Sequence, residues 1–216
     1  MIKAKHNILA EAVYRKYLNR LFKSNFGKII LANEIPDIAN CKRLIVTPNH
    51  FSWWDGFFIE FLMRKFTDRK LHILMLEEQL RKYRFLQYLG AFSIKQESVS
   101  SVSESLKYSK MVSESEKNYL VYYPQGETQS YERKFVKLKR GLVSVADNDE
   151  AKVLIVTFKI AYGNEKKPDV YCRFHDELVS VRNADEFKTY ENLFLNNIDL
   201  LDNDILNKSG SDILNN

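Results

Sequence analysis

Cysteine is scarce: Cys41 and Cys172 are the only two in 216 residues. Two thiols make no disulfide framework and no paired-cysteine zinc spacing, which fits a cytoplasmic compartment and inert thiols. Four prolines and seven glycines leave no Pro- or Gly-rich linker, and no internal repeat or low-complexity block appears before about residue 183. No apolar run approaches the roughly 18 to 20 residues needed to cross a bilayer. The N-terminal stretch "MIKAKHNILAEAVYRKYLNRLFK" lacks the apolar core and small-residue cleavage site of a secretory signal. There is no GxSxG elbow to announce a serine hydrolase. Basic residues are not interleaved with aromatics in any recognisable nucleic-acid module, so nucleic acid is not an expected partner.

The chain does have enough apolar material, 45% hydrophobic at 25.5 kDa with a mean hydropathy of -0.36, to form one ordinary core, so residues 1–216 read as one domain. Its net charge of +5 and pI near 9.0 invite an anionic partner such as a membrane surface or a phosphorylated substrate. Residues 1–26 read as an amphipathic helix. Ile8, Leu9, Ala12, Val13, Tyr17, Leu21 and Phe22 recur at helical spacing, while Lys5, Arg15, Lys16, Arg20 and Lys23 supply charge around them. An interfacial helix has that composition, and so does a helix docked on its own domain.

Beyond it, apolar runs alternate with amphipathic segments. "RLIVTP", "KLHILML", "AFSIK", "NYLVYYP", "KVLIVTFKIAYG" and "DVYCRFHDELV" read as strands. "WWDGFFIEFLMRK", "EEQLRKYRFLQYLG" closed by Gly90, "SVSSVSESLKYSKMVSES" with Val99, Val102 and Leu106 on one face, and "KRGLVSVADNDE" read as helices. The expected fold is α/β, a mostly parallel sheet flanked by helices on both faces. The last segment, about residues 184–216, should add a helix and then fray.

In such sheets ligands sit beyond the carboxyl ends of the strands, and two polar loops, "NHFSWWD" and "PQGE", leave strands at that edge. His50 and Asp55 cannot meet within one continuous helix, because five residues turn about 500° and leave the side chains about 140° apart. They can meet if the chain is loop at His50, as Pro48 and Asn49 favour, and helix from Asp55. Ser52-Trp53-Trp54-Asp55 also matches a capping box, so the same spacing admits a purely structural Asp55. No second histidine or clustered carboxylate stands near to suggest a metal; His6, His72 and His175 lie outside any motif.

"NHFSWWDG" resembles the HxxxxD motif of the glycerolipid acyltransferase family, which includes the lysophosphatidic acid acyltransferases. Three further stretches follow in the family's order: "GAFSIK" resembles its second block, "YPQGE" its third, commonly FPEGT followed by arginine, and "VLIVTFKI" its fourth. The likeness covers roughly residues 40 to 163, and "KLKRG" matches the basic stretch after the third block.

That resemblance implies an acyltransferase-like fold with an N-terminal amphipathic helix, peripheral on the inner face of the cell membrane. It also implies transfer of a fatty acyl group from an acyl-CoA or acyl carrier protein thioester to a hydroxyl, or an amine, of a lipid acceptor. His50 would be the general base and Asp55 would fix its tautomer. Backbone N–H groups near Gly126 or at the helix start are candidates for the oxyanion. The thioester is a co-substrate; no cofactor is implied, and an activated donor requires no covalent acyl-enzyme. Lys95, Gln125, Gly126, Glu127, Thr128, Lys139 and Arg140 would line the substrate side.

Departures from the family pattern fall in that set. Gln125 stands for the usual acid, Glu127 for threonine and Thr128 for arginine, and Lys95, followed by Gln96, ends the second block where arginine is common. Bidentate guanidinium suits a phosphate monoester and lysine is not its equal, so the acceptor is expected to lack that phosphate. Lys95, Arg133, Lys137, Lys139 and Arg140 offer a competing route to a phosphate. Two other function classes fit the sequence: a thioesterase or lipid hydrolase in which His50 activates water, and a non-catalytic lipid-binding module.

Overall fold

The central strands are mostly apolar, and residues 43–48 are buried at every position, because both sides of the sheet are covered. The computed structural model describes residues 1–95 and 98–215, so Gln96 lies outside the described residues. Strands β1 (Ile29–Leu31), β2 (Arg43–Pro48), β3 (Lys70–Leu76), β4 (Ala91–Ile94), β5 (Asn118–Val121), β6 (Ala151–Ala161), β7 (Asp169–Phe174) and β8 (Ser211–Asp212) form one sheet in the order β4-β3-β5-β2-β6-β7-β1-β8. The five from β4 to β6 are parallel. β7 runs antiparallel to β6, β1 is parallel to β7, and β8 is antiparallel to β1. The α/β reading of a mostly parallel sheet flanked by helices is what the chain adopts.

Period-two alternation divides the core. Leu44, Val46 and Val121 face α1 (Ile8–Asn25) and α2 (Asp55–Met63), joining Leu18, Phe22, Phe58 and Leu62. Ile45, Leu120 and Val153 face the other way, joining Val112 of α4 (Val99–Ser113) and Phe187, Tyr190, Phe194 and Ile198 of α5 (Ala184–Asn207).

Four local expectations need correction. The C-terminal segment does not fray: Lys208 and Gly210 take left-handed backbone, and the chain turns back to pair β8 with β1. Ile213 N–H then donates to Ile29 O, and Leu214 is buried. The stretch from Glu77 to Gly90 is not one helix. α3 (Glu77–Lys82) stops at Tyr83, and a 3-10 helix follows over Arg84–Leu89. There the Gln87 and Tyr88 carbonyls accept from Lys5 and Asn7 N–H of the N-terminal segment. "KRGLVSVADNDE" yields only a short 3-10 helix, Arg140–Ser144. In α4 the face expected from Val99, Val102 and Leu106 is not the most buried one, although Leu106 packs against the core. Val99 is 88% exposed, while Ser105 and Ser109 are fully buried and donate to the i−4 carbonyls, a small-residue face that lets the helix lie close on the sheet.

Candidate active site

β2 and β5 are neighbours, so the loops that follow them emerge side by side at the carboxyl edge. The β2 loop is fixed first by Asn49. Its amide donates to Phe158 O at 2.9 Å and accepts from Phe158 N–H at 2.7 Å, adding a side-chain rung to the β2–β6 ladder just past Pro48. His50 follows, out of helix, and α2 begins at Asp55. That is the arrangement the five-residue spacing requires.

His50 Nδ1 lies 2.7 Å from Asp55 Oδ2. The same oxygen accepts from Phe51 N–H at 2.8 Å and Ser52 N–H at 2.9 Å, and Oδ1 accepts from the Ser52 hydroxyl at 2.7 Å. Asp55 is only 1% exposed, and two backbone N–H groups and the Ser52 hydroxyl donate to its carboxyl oxygens beside the imidazole. A proton on Nδ1 makes this contact a hydrogen bond and leaves the Nε2 lone pair facing away from Asp55. The two readings of the sequence turn out to be compatible. Asp55 reaches back to Ser52 N–H as a capping-box acid does, and it holds the histidine with the same oxygen.

The third-block loop packs onto this pair. Tyr123 stacks on the His50 ring with centroids 4.3 Å apart and planes 29° apart. Burial, reinforced by the Asp55 charge, pushes the Tyr123 phenol well above its usual range, so it stays neutral there. Gln125, 1% exposed, clamps the histidine backbone: its Oε1 accepts His50 N–H at 2.5 Å and its Nε2 donates to His50 O at 3.2 Å. Gln129 continues the lock, giving its N–H to His50 O at 2.8 Å while its amide pairs with both backbone groups of Lys137. Thr128 is exposed, and its hydroxyl lies 3.3 Å from His50 Nε2.

The remaining candidates divide by position. Gly126 has a φ of +71°, and a side chain there would strike Lys139, whose Cδ lies 2.9 Å from the Cβ position. Lys139 Nζ is 3.7 Å from Glu127 Oε1, an exposed pair at the rim. Arg140 opens the 3-10 helix below it. Arg133 is engaged by Asp199 of α5 at 2.8 Å. Lys95 follows β4, three strands from β2 or about 14 Å at ordinary strand spacing. It sits 3.5 Å from the buried Glu77, whose carboxyl is held low chiefly by Arg81. Lys95 thus shares the sheet edge with His50 without joining its cluster.

Several N–H groups that the sequence offers for an oxyanion are committed. Gly126 N–H donates to Tyr123 O, Gln129 N–H to His50 O, and the Phe51 and Ser52 N–H groups to Asp55. Asn49, and the locking use of Gln125 and Gln129, escaped sequence reasoning. An amide in a turn next to proline or glycine carries no periodic signal; only its paired donor and acceptor, matching a peptide, could have suggested it.

Residues 29–161 match the Acyltransferase family. No curated protein sequence matches the chain. Among solved structures it is similar to the 1-acyl-sn-glycerophosphate (LPA) acyltransferase PlsC from Thermotoga maritima, with a TM-score of 0.58 and 18% identity over 87% of this chain and 77% of that one. With a family match spanning β1 to the end of β6, and the His50–Asp55 pair inside it, the chain belongs to the Acyltransferase family and is an acyltransferase.

Proposed function

We propose that the protein moves a fatty acyl group from a thioester of CoA or acyl carrier protein to a hydroxyl or amine of a lipid acceptor. The observation that carries this reading is the oriented His50: Asp55 takes Nδ1–H at 2.7 Å, and Nε2 is left on the other side of the ring, 3.3 Å from the exposed Thr128 hydroxyl. A lone pair held there removes the acceptor's proton as it attacks, and the buried carboxylate stabilises the imidazolium that forms. General-base catalysis supplies about 10² to 10⁴-fold. Among the described residues no backbone acceptor meets the Glu127 and Thr128 N–H groups, and these are assigned to the thioester oxyanion.

The lipid acceptor is supported by what surrounds the loop. Trp53 is 62% exposed three residues after His50 and packs on Phe57, which in turn meets Tyr14 of α1. On α1 itself Leu9, Val13 and Tyr17 are exposed, with Lys16 and Arg20 beside them. Apolar and basic side chains so arranged suit a peripheral protein on the anionic inner face of the cell membrane. Among the described residues no helix is long and apolar enough to cross a membrane.

Glu127 and Thr128 stand where the family's threonine and arginine do, so the acceptor head is neutral or zwitterionic rather than a phosphate monoester. A carboxylate at the rim repels a dianion and can pair with an amine. The test is acyl transfer from labelled palmitoyl-CoA or palmitoylated acyl carrier protein to total lipid, with products identified by mass spectrometry. His50→Ala should abolish it and Asp55→Asn remove most of it, with melting unchanged for His50→Ala. A His50→Ala protein that transfers at the original rate sinks the proposal.

A further inference from the structure

At the amino ends of β3 and β5, the edge of the sheet opposite His50, a cleft of about 130 Å³ separates α1 from the body of the protein. Its walls are charged: α1 contributes Tyr14 and Arg15, α2 contributes Glu60 and Arg64, and Arg69 and Tyr119 close the far side. Arg15 is two residues from Val13, about 200° around the helix, so the cleft lies on the side of α1 away from the exposed Leu9, Val13 and Tyr17. A cleft lined by apolar groups can stay dry, but one lined this way calls for a polar occupant.

Several of these groups have no partner within the chain, which is exceptional for buried polar atoms. Tyr119 is 3% exposed, and neither its hydroxyl nor that of Tyr14 makes a hydrogen bond among the described residues. Burial pushes both phenols up, so they stay neutral and able to donate. Arg69 Nη1 is buried without an acceptor, while its Nη2 donates to Cys41 O. Arg64 gives Nη2 to Asn19 Oδ1, and its Nη1 stands 3.9 Å from Glu60 Oε2, too far for a hydrogen bond. Among the described residues Arg15 forms no ion pair. The acceptor left over is Glu60 Oε2, buried without a donor. Burial holds the Glu60 carboxyl above the usual range, although Arg64 and Arg15 pull it down. Of the other charges, Glu11 is engaged by His6 Nδ1 at 2.7 Å, and Asp68 and Lys70 are exposed at the rim.

The occupant must therefore be rich in acceptors, carry negative charge, and offer one proton. We propose that this cleft is a binding site for a small protonated oxyanion, free monohydrogen phosphate, held between α1 and α2. The guanidinium groups of Arg15 and Arg64 neutralise it through charge-assisted hydrogen bonds. The Tyr14 and Tyr119 hydroxyls donate to further oxygens, and Glu60 Oε2 accepts from the P–OH group. Sulfate has the same shape but carries no proton near neutrality, so it would face Glu60 with oxygen against oxygen. An anion held in this way ties α1, with its apolar outer face, to the body of the domain. The site is separate from the His50 cluster, and the inference stands independently of the acyl-transfer reading.

The experiment titrates orthophosphate into the full chain at neutral pH and constant ionic strength, followed by calorimetry. Saturable binding of one ion is expected, with a melting temperature that rises as phosphate is added. Amide exchange should slow in residues 8–25 and 60–71. Sulfate should bind about tenfold or more weakly, because it leaves Glu60 without a donor. Arg15→Gln, a change at an exposed residue that leaves the core intact, should weaken phosphate binding about tenfold or more. Glu60→Gln should bring sulfate and phosphate to similar affinity by removing the charge that tells them apart.

Melting that follows ionic strength alone, with no saturable heat, overturns the site. So does Arg15→Gln that binds phosphate as the parent does, or a parent that holds sulfate as tightly as phosphate. Vesicles of phosphatidylcholine containing phosphatidic acid test the other source of the same chemical group. If they slow exchange in residues 60–71 and orthophosphate does not, the cleft takes a lipid headgroup and the free-anion proposal fails.

Discussion

Two side-chain amides carry much of the geometry at the site. Asn49 pairs with Phe158 and Gln125 with His50 as though each were a peptide, so the histidine backbone is bound on both sides before its ring is oriented. Gln125→Leu keeps shape but leaves His50 N–H without its acceptor, at a cost of about 1–3 kcal/mol. The expected outcome is a lower melting temperature and a kcat reduced about tenfold or more for a displaced base; an unchanged kcat would show that ring stacking alone holds His50. His72 gives a second expectation. Burial brings its imidazole down to about 4 from 6.5, with His6 beside it at 4.9 Å. Between pH 6.5 and 4 the unfolded chain then binds a proton that the folded chain does not, so stability falls as pH drops through that window. The full loss is about 3 kcal/mol. His72→Phe should flatten the decline, measured as denaturation midpoints from pH 7 to 4. The pairing of His50 with Asp55 was legible because both lie within one turn-length of sequence. The approach of Thr128 to Nε2, across 78 positions, has no local trace.

At the scale of elements, α1 is a helix with two apolar faces. Leu18 and Phe22 are fully buried, Phe22 stacking on Phe58 at 5.6 Å, while Leu9, Val13 and Tyr17 are 78%, 70% and 55% exposed on the far side. The sequence shows the apolar residues but cannot divide them, because a docked face and an outer face share the same 3.6-residue repeat. Deleting the helix would therefore damage the core along with any membrane contact. Substituting only Leu9, Val13 and Tyr17 with serine separates the two. Affinity for vesicles containing phosphatidylglycerol should fall about tenfold or more, from the apolar area no longer inserted, with little change in melting. High salt should weaken the parent protein as well, since Lys16 and Arg20 act over a short screened range. Vesicle binding that survives the triple substitution would move the contact elsewhere. α4 failed the same kind of reading for the opposite reason: buried serines that satisfy themselves on their own helix look like a solvent face in the sequence.

For the whole molecule, the parallel half was readable because each strand from β2 to β6 is a distinct apolar run, and placing β5 beside β2 is what brings two distant loops to one edge. The other end was not: β1 is three residues and β8 two, too short for periodicity, and β1 forms by pairing with β7 while β8 forms by pairing with β1. β8 caps the sheet. It covers the β1 edge, whose Ile29 is buried, and brings Leu214 into the same core. Removing residues 209–216 should uncover that edge and the apolar contacts of Ile213 and Leu214, a loss of about 3 kcal/mol or more at ordinary burial values. An unpaired apolar edge also recruits other chains. The shortened protein should melt several degrees lower and scatter light on warming. β8 lies four strands from β2, about 19 Å at ordinary spacing, so the His50 cluster is untouched. Acyl transfer measured well below the new melting temperature should then run at the parent rate. Equal melting temperatures for the two proteins would mean that the terminal strand contributes nothing to the sheet; a parent-like melt with lost activity would mean that this end communicates with the site.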